Sequence, residues 1–145
     1  MAVSIQWELR TIAENAYSNT SDINHYANRI IDGYAGTYWR SETSLNPLHL
    51  PHYVIVKLED TKVIKGFRYL PNQANKVGRI KNYNFYVSND GVGWEKVSSG
   101  SWEKDKSAKK VRFDQAIEAR YIKLEAMRIH EGEDIASIAE IDLIK

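Results

Sequence analysis

The chain has 145 residues, 43% of them hydrophobic and 27% charged, which suits one globular domain with its own core and leaves little room for a second. Its net charge of +1 argues against a strong electrostatic footprint for DNA or RNA, and the lack of cysteine excludes disulfides and thiolate metal sites. No apolar run approaches the ~18 residues of a membrane-spanning helix, so residues 1–145 are read as a single domain with no nucleic-acid partner and no membrane span.

In chain order, MAVSIQWELR lacks a signal-peptide pattern, and IQWELR (5–10) reads as a first strand. HYANRIID (25–32) is the one helical stretch, short and closed by Gly33 as a C-cap. GYAGTYWRSETSLNPLHLP (33–51) is irregular. HYVIVKL alternates Val54, Val56 and Leu58 against Tyr53, Ile55 and Lys57, and KVIKGFRYL is rich in β-branched and aromatic residues. YNFYVS sets Tyr83, Phe85 and Val87 on one face and Asn84, Tyr86 and Ser88 on the other. WEKVSS, KKVRFD, ARYIKLEAM and SIAEIDLIK complete a set of about eight strands. Period two with turn signals between runs predicts an all-β chain, an antiparallel β-sandwich or jelly roll with one short helix.

Asn89-Asp90-Gly91 sits between two of these runs. An EF-hand loop needs a glutamate at position 12, and NDGVGWEKVSSG ends on Gly100. The stretch reads instead as a hairpin turn, with Trp94 packing it back onto the sheet. His49 and His52 have a metal-ligand spacing only on a helix, and Pro47 and Pro51 keep that stretch extended.

Five stretches, YANRIIDGYAGTYWRSE, LPHYVIVKLEDTKVIKGFRYLP, GRIKNYNFYVSNDGVGWEKVSSGSW, ARYIKLEAM and ASIAEIDL, stand in the order seen in discoidin domains. The chain thus resembles the coagulation factor 5/8 type C family, in its bacterial branch of family 32 carbohydrate-binding modules, from about Trp7 to Leu143. The resemblance implies a discoidin-like jelly roll.

The resemblance also implies a structural calcium ion, held by Asp32, Thr37 and Glu140 with backbone carbonyls of Arg29, Tyr34 and Ala139. The alternative is an Asp32 that caps a turn and a Glu140 in a salt bridge. The family's sugar site lies on the loops at one end of the sandwich. Here those loops offer Arg40, Glu42, Asn72, Gln73, Asn75, Arg79, His130 and Glu131. Arg40 stands where a histidine is common, and Ile135 where an aromatic is common, which leaves Tyr34 and Tyr38 as substitute stacking surfaces. Trp39, Trp7 and Trp94 are expected in the core, with Trp102 open between core and surface.

No Ser-His-Asp arrangement, phosphate loop or facing carboxylate pair is evident. The resemblance implies a non-catalytic function: a module that binds galactose-type or N-acetylhexosamine-type terminal sugars and targets a linked glycan-active enzyme. It is expected to be a monomer, secreted or on the cell surface, and bacterial. The rival is a protein- or lipid-binding discoidin domain mediating adhesion, with Leu45 and Leu48 at its loop tips.

Overall fold

The structure is a computed structural model that describes residues 7–145. Its strands are β1 (Ala13–Ser18), β2 (Trp39–Arg40), β3 (His52–Leu70), β4 (Ile80–Ser88), β5 (Glu95–Ser101), β6 (Lys109–Ile129), β7 (Ser137–Ile138) and β8 (Glu140–Ile144). A helical turn, α1 (Leu9–Ile12), precedes them, and a 3-10 turn spans Ala27–Ile31.

All pairings are antiparallel. The main sheet runs β1-β3-β6-β4-β5 with β8 added on β3, and β2 pairs β7 separately. The four central sequence runs merge into two long strands. HYVIVKL and KVIKGFRYL are both β3, and KKVRFD and ARYIKLEAM are both β6. Each long strand serves two layers. The first half of β3 pairs β1 and the second half of β6, while its second half pairs β8 and the first half of β6. The register shift between Lys57 and Lys62 falls at Glu59–Thr61, which are exposed and leave the core there.

The alternation is realised where it was read. Val54, Val56 and Leu58 face inward, as do Tyr83, Phe85 and Val87. Phe67 of one layer stacks on Phe85 of the other at 4.0 Å and 7°. Burying such a ring is worth about 1.5–3 kcal/mol over leaving it exposed. Trp102 closes this aromatic group, stacked on Tyr83 at 4.1 Å and Tyr69 at 4.7 Å. Trp39 is fully buried, and Trp7 packs with Leu70 and Ala139.

Three expectations need correction. The strand read over 5–10 begins outside the described residues, and its remainder leads into α1; the first strand is Ala13–Ser18, whose weak alternation hid it. In β8 both faces are buried, because Asp142 pairs with Arg68 at 2.5 Å and Glu140 points into a loop. Trp94 is not in the core. It lies half-buried on the outer sheet face, edge-on to Tyr121 at 6.4 Å, where the turn folds it back.

Candidate functional site

Backbone pairing gathers three polar segments at one end of the sandwich. Arg40 pairs with Ser137 in the β2–β7 ladder. The Ser41 N–H donates to Ala136 O at 2.9 Å, and the Ala136 N–H returns a bond to Ser41 Oγ at 2.9 Å. The Ser137 N–H donates to Gly78 O at 2.9 Å, and the His130 N–H to Arg79 O at 3.0 Å. Residues 38–42, 72–79 and 130–137 therefore meet. Gly78, at φ +78°, lets the middle loop pass close by: a Cβ there would sit 2.6 Å from Ser137 N.

Within this frame the sequence candidates divide. Asn72 is fully buried and builds its loop: Oδ1 accepts from the Ala74 and Asn75 N–H groups, and Nδ2 donates to Asn75 Oδ1 at 3.1 Å. Arg79 donates from Nε and a terminal nitrogen to Asn72 O at 3.1 and 2.9 Å. Gln73 Nε2 reaches Pro71 O and Lys106 O, both at 2.7 Å. Asn75 stays exposed, though its Oδ1 also accepts from the Val77 N–H. Glu42 Oε1 caps its own turn through the Thr43 and Ser44 N–H groups. Glu131 is exposed and pairs with Lys104 at 2.6 Å. Lys76, Val77, Glu131 and Gly132 line an open depression between the second and third loops. Among the described residues His130 Nε2 has no partner, and burial pushes its imidazole pKa down, against a bond to the Trp102 backbone.

Sequence reading missed what holds Arg40. Asp22, 7% exposed, accepts from it at 2.6 Å and contacts His25 Nδ1 at 3.4 Å. The backbone bond from Asn24 and then the Arg40 guanidinium pull the Asp22 carboxyl down to about 2. His25 in turn stacks on Tyr38 at 4.5 Å and 21°. The signal available was SDIN, an Asx-turn sequence, which carried no hint of its distant partner. Ile135 is buried and Tyr34 is 69% exposed; of the two proline-flanked leucines, Leu45 is exposed and Leu48 half-buried.

A second polar cluster lies under the turn after the 3-10 segment. Asp32 Oδ1 accepts from the Tyr34 N–H at 2.9 Å, and Asp32 Oδ2 from the Thr37 hydroxyl. That hydroxyl also lies 3.2 Å from Tyr34 O. Gly33, at φ +81°, donates its N–H to Glu140 Oε1 at 2.9 Å. Glu140 is 1% exposed, and desolvation, then the neighbouring Asp32 carboxylate, raise its pKa to about 10. Neither carboxylate makes an ion pair with a basic side chain of the described residues, although Arg10 packs over Gly33. Among the described residues no three His, Cys, Asp or Glu side chains converge. The oxygens here are two carboxylates, a hydroxyl and a carbonyl, a donor set that suits a hard divalent cation.

The F5/8 type C domain family model matches residues 13–141. A galactose oxidase of Gibberella zeae is 32% identical over 140 residues, covering 92% of this chain and 20% of that protein. The chain thus spans about a fifth of that relative. Among solved structures, CpGH89CBM32-5 from Clostridium perfringens, in complex with GalNAc-beta-1,3-galactose, superposes with a TM-score of 0.86 at 28% identity, covering 96% of this chain and 99% of that one. The family 32 carbohydrate-binding module of C. perfringens NanJ, in complex with galactose, gives 0.83 at 28% identity, covering 96% and 98%.

Proposed function

Because the chain belongs to the F5/8 type C domain family, we propose that it is a non-catalytic carbohydrate-binding module holding the terminal one or two sugars of a glycan between 38–42, 72–79 and 130–135. The observation that carries this reading is the ladder joining these three polar loops, together with the similarity to two modules in complex with galactose or GalNAc-beta-1,3-galactose. Arg40, Glu42, Gln73, Asn75, Arg79, His130 and Glu131 are the proposed contacts, and Asn72 holds their loop. Guanidinium, amide and carboxylate groups bridge adjacent hydroxyls through paired hydrogen bonds. Terminal galactose and N-acetylhexosamine are the proposed ligands. Few hydroxyls engage and little apolar area is buried, so dissociation constants of about 0.1–1 mM are expected.

Asp32, Thr37 and Glu140, with the carbonyls of Arg29, Tyr34 and Ala139, would hold a calcium ion whose role is to pin the turn. The parent protein is proposed to be a secreted or cell-surface glycan-active enzyme. Linkage to its catalytic domain turns a weak sugar contact into local enrichment on the substrate. A glycan array tests the reading. Binding to galactose- or N-acetylhexosamine-terminated glycans that is weakened by Arg40→Ala supports it; an array with no binders refutes it.

A further inference from the structure

The outer face of the first layer, away from the loop end, carries an aromatic surface that the proposed terminal-sugar site does not use. One row crosses four strands: Tyr17 of β1 opposite Ile55 of β3, then Lys123 of β6, then Tyr86 of β4. At ~4.8 Å per strand it runs about 14 Å. Tyr53 and Tyr121 flank it in the adjoining rows, and Trp94 leans over it from the turn before β5.

Lys123 stands at the centre. Its ammonium lies 4.5 Å from the Trp94 ring centroid, 4.6 Å from that of Tyr86 and 5.1 Å from that of Tyr53. It has these rings but no carboxylate or carbonyl acceptor among the described residues. Burial lowers its pKa, while the ammonium itself stays at the surface. Beside it, Glu125 Oε1 accepts from Tyr86 Oη at 2.9 Å and Asn84 Nδ2 at 3.1 Å, and Tyr17 is 41% exposed. The surface therefore combines ring faces, a donor without a protein acceptor among the described residues, and a fixed acceptor.

We propose that this face is a second carbohydrate-binding surface that takes an extended, neutral glycan chain laid across the strands. Pyranose rings offer apolar C–H faces to the aromatic rings and hydroxyl oxygens to Lys123, and their hydroxyl hydrogens suit Glu125. Glu125 beside Lys123, and Glu14 between Lys57 at 3.6 Å and Arg120 at 3.4 Å, set carboxylates along the face that repel a polyanion and suit a neutral chain. An apolar protein surface would cover the ammonium without giving it an acceptor, at the cost of burying an unpaired charge.

The test is amide NMR with Trp fluorescence on the whole chain, using gluco-, manno-, xylo- and galacto-oligosaccharides of one to six sugars, with polygalacturonate and anionic liposomes as contrasting probes. In at least one neutral series, shifts at Tyr17, Tyr53, Tyr86, Trp94, Tyr121 and Lys123 are expected. Affinity should rise about tenfold from two sugars to four as successive rings engage. Tyr17→Ala and Lys123→Met, both surface changes, should each reverse that gain and leave monosaccharide shifts in 38–42, 72–79 and 130–135 in place. A face silent to every neutral series, a face that responds only to polygalacturonate or liposomes, or binding indifferent to both variants overturns the proposal. The monosaccharide shifts report separately on the loop-end site.

Discussion

Asp32 and Glu140 lie carboxyl against carboxyl beneath the turn at Gly33, and the charge of Asp32 helps push Glu140 up to about 10. A cation between them removes both the repulsion and the cost of a buried bare charge. Millimolar calcium should therefore raise the melting temperature. The gain is about 2.7 kcal/mol at a hundredfold excess over the dissociation constant. EDTA should reverse it, and Glu140→Gln should abolish the response. Differential scanning calorimetry with and without calcium checks this.

Asp22 should govern part of the acid sensitivity. Its carboxyl is depressed from 3.8 to about 2, so it contributes stability that is present above pH 3.8 and lost as pH falls through about 2. Asp22→Asn should flatten that part of the profile and cost about 2 kcal/mol at neutral pH, since a charge-assisted bond to Arg40 goes with it. Urea melts between pH 2 and 6 measure both.

Gly78→Ala should separate the loops. The left-handed backbone and the 2.6 Å approach to Ser137 N leave no room for a Cβ. A loss of about 1–3 kcal/mol is expected. Sugar affinity should fall with it, because 72–79 and 130–137 no longer meet. Calorimetric titration alongside thermal melts separates the two effects.

Phe67→Ala should cost about 3–5 kcal/mol, since it opens a cavity against Phe85 and Phe113 between the layers. Chemical denaturation of the variant gives the value directly.

The alternation in HYVIVKL and YNFYVS made the sandwich legible, because period two is imposed by a half-buried sheet. The merging of four runs into β3 and β6 was not, since Glu59–Thr61 read as a break yet stays within one bent strand. At the loop end, the three segments were legible through family order. Which side chains turn outward was not. Asn72 has the letter of a ligand and the environment of a core residue, and only tertiary contacts decide between them. Trp94 shows the reverse: the resemblance implied a place in the core, but the hairpin turn carries it to the outer face. Asp22 and Arg40 are 18 residues apart, and no local pattern announces their pairing.

The central claim is a terminal-sugar site on the loop end, and amide NMR of labelled protein under titration with galactose and N-acetylgalactosamine tests it most directly. Saturable shifts confined to 38–42, 72–79 and 130–135 are predicted, with dissociation constants of about 0.1–1 mM. Spectra unmoved by either sugar, or shifts only elsewhere on the molecule, would contradict it.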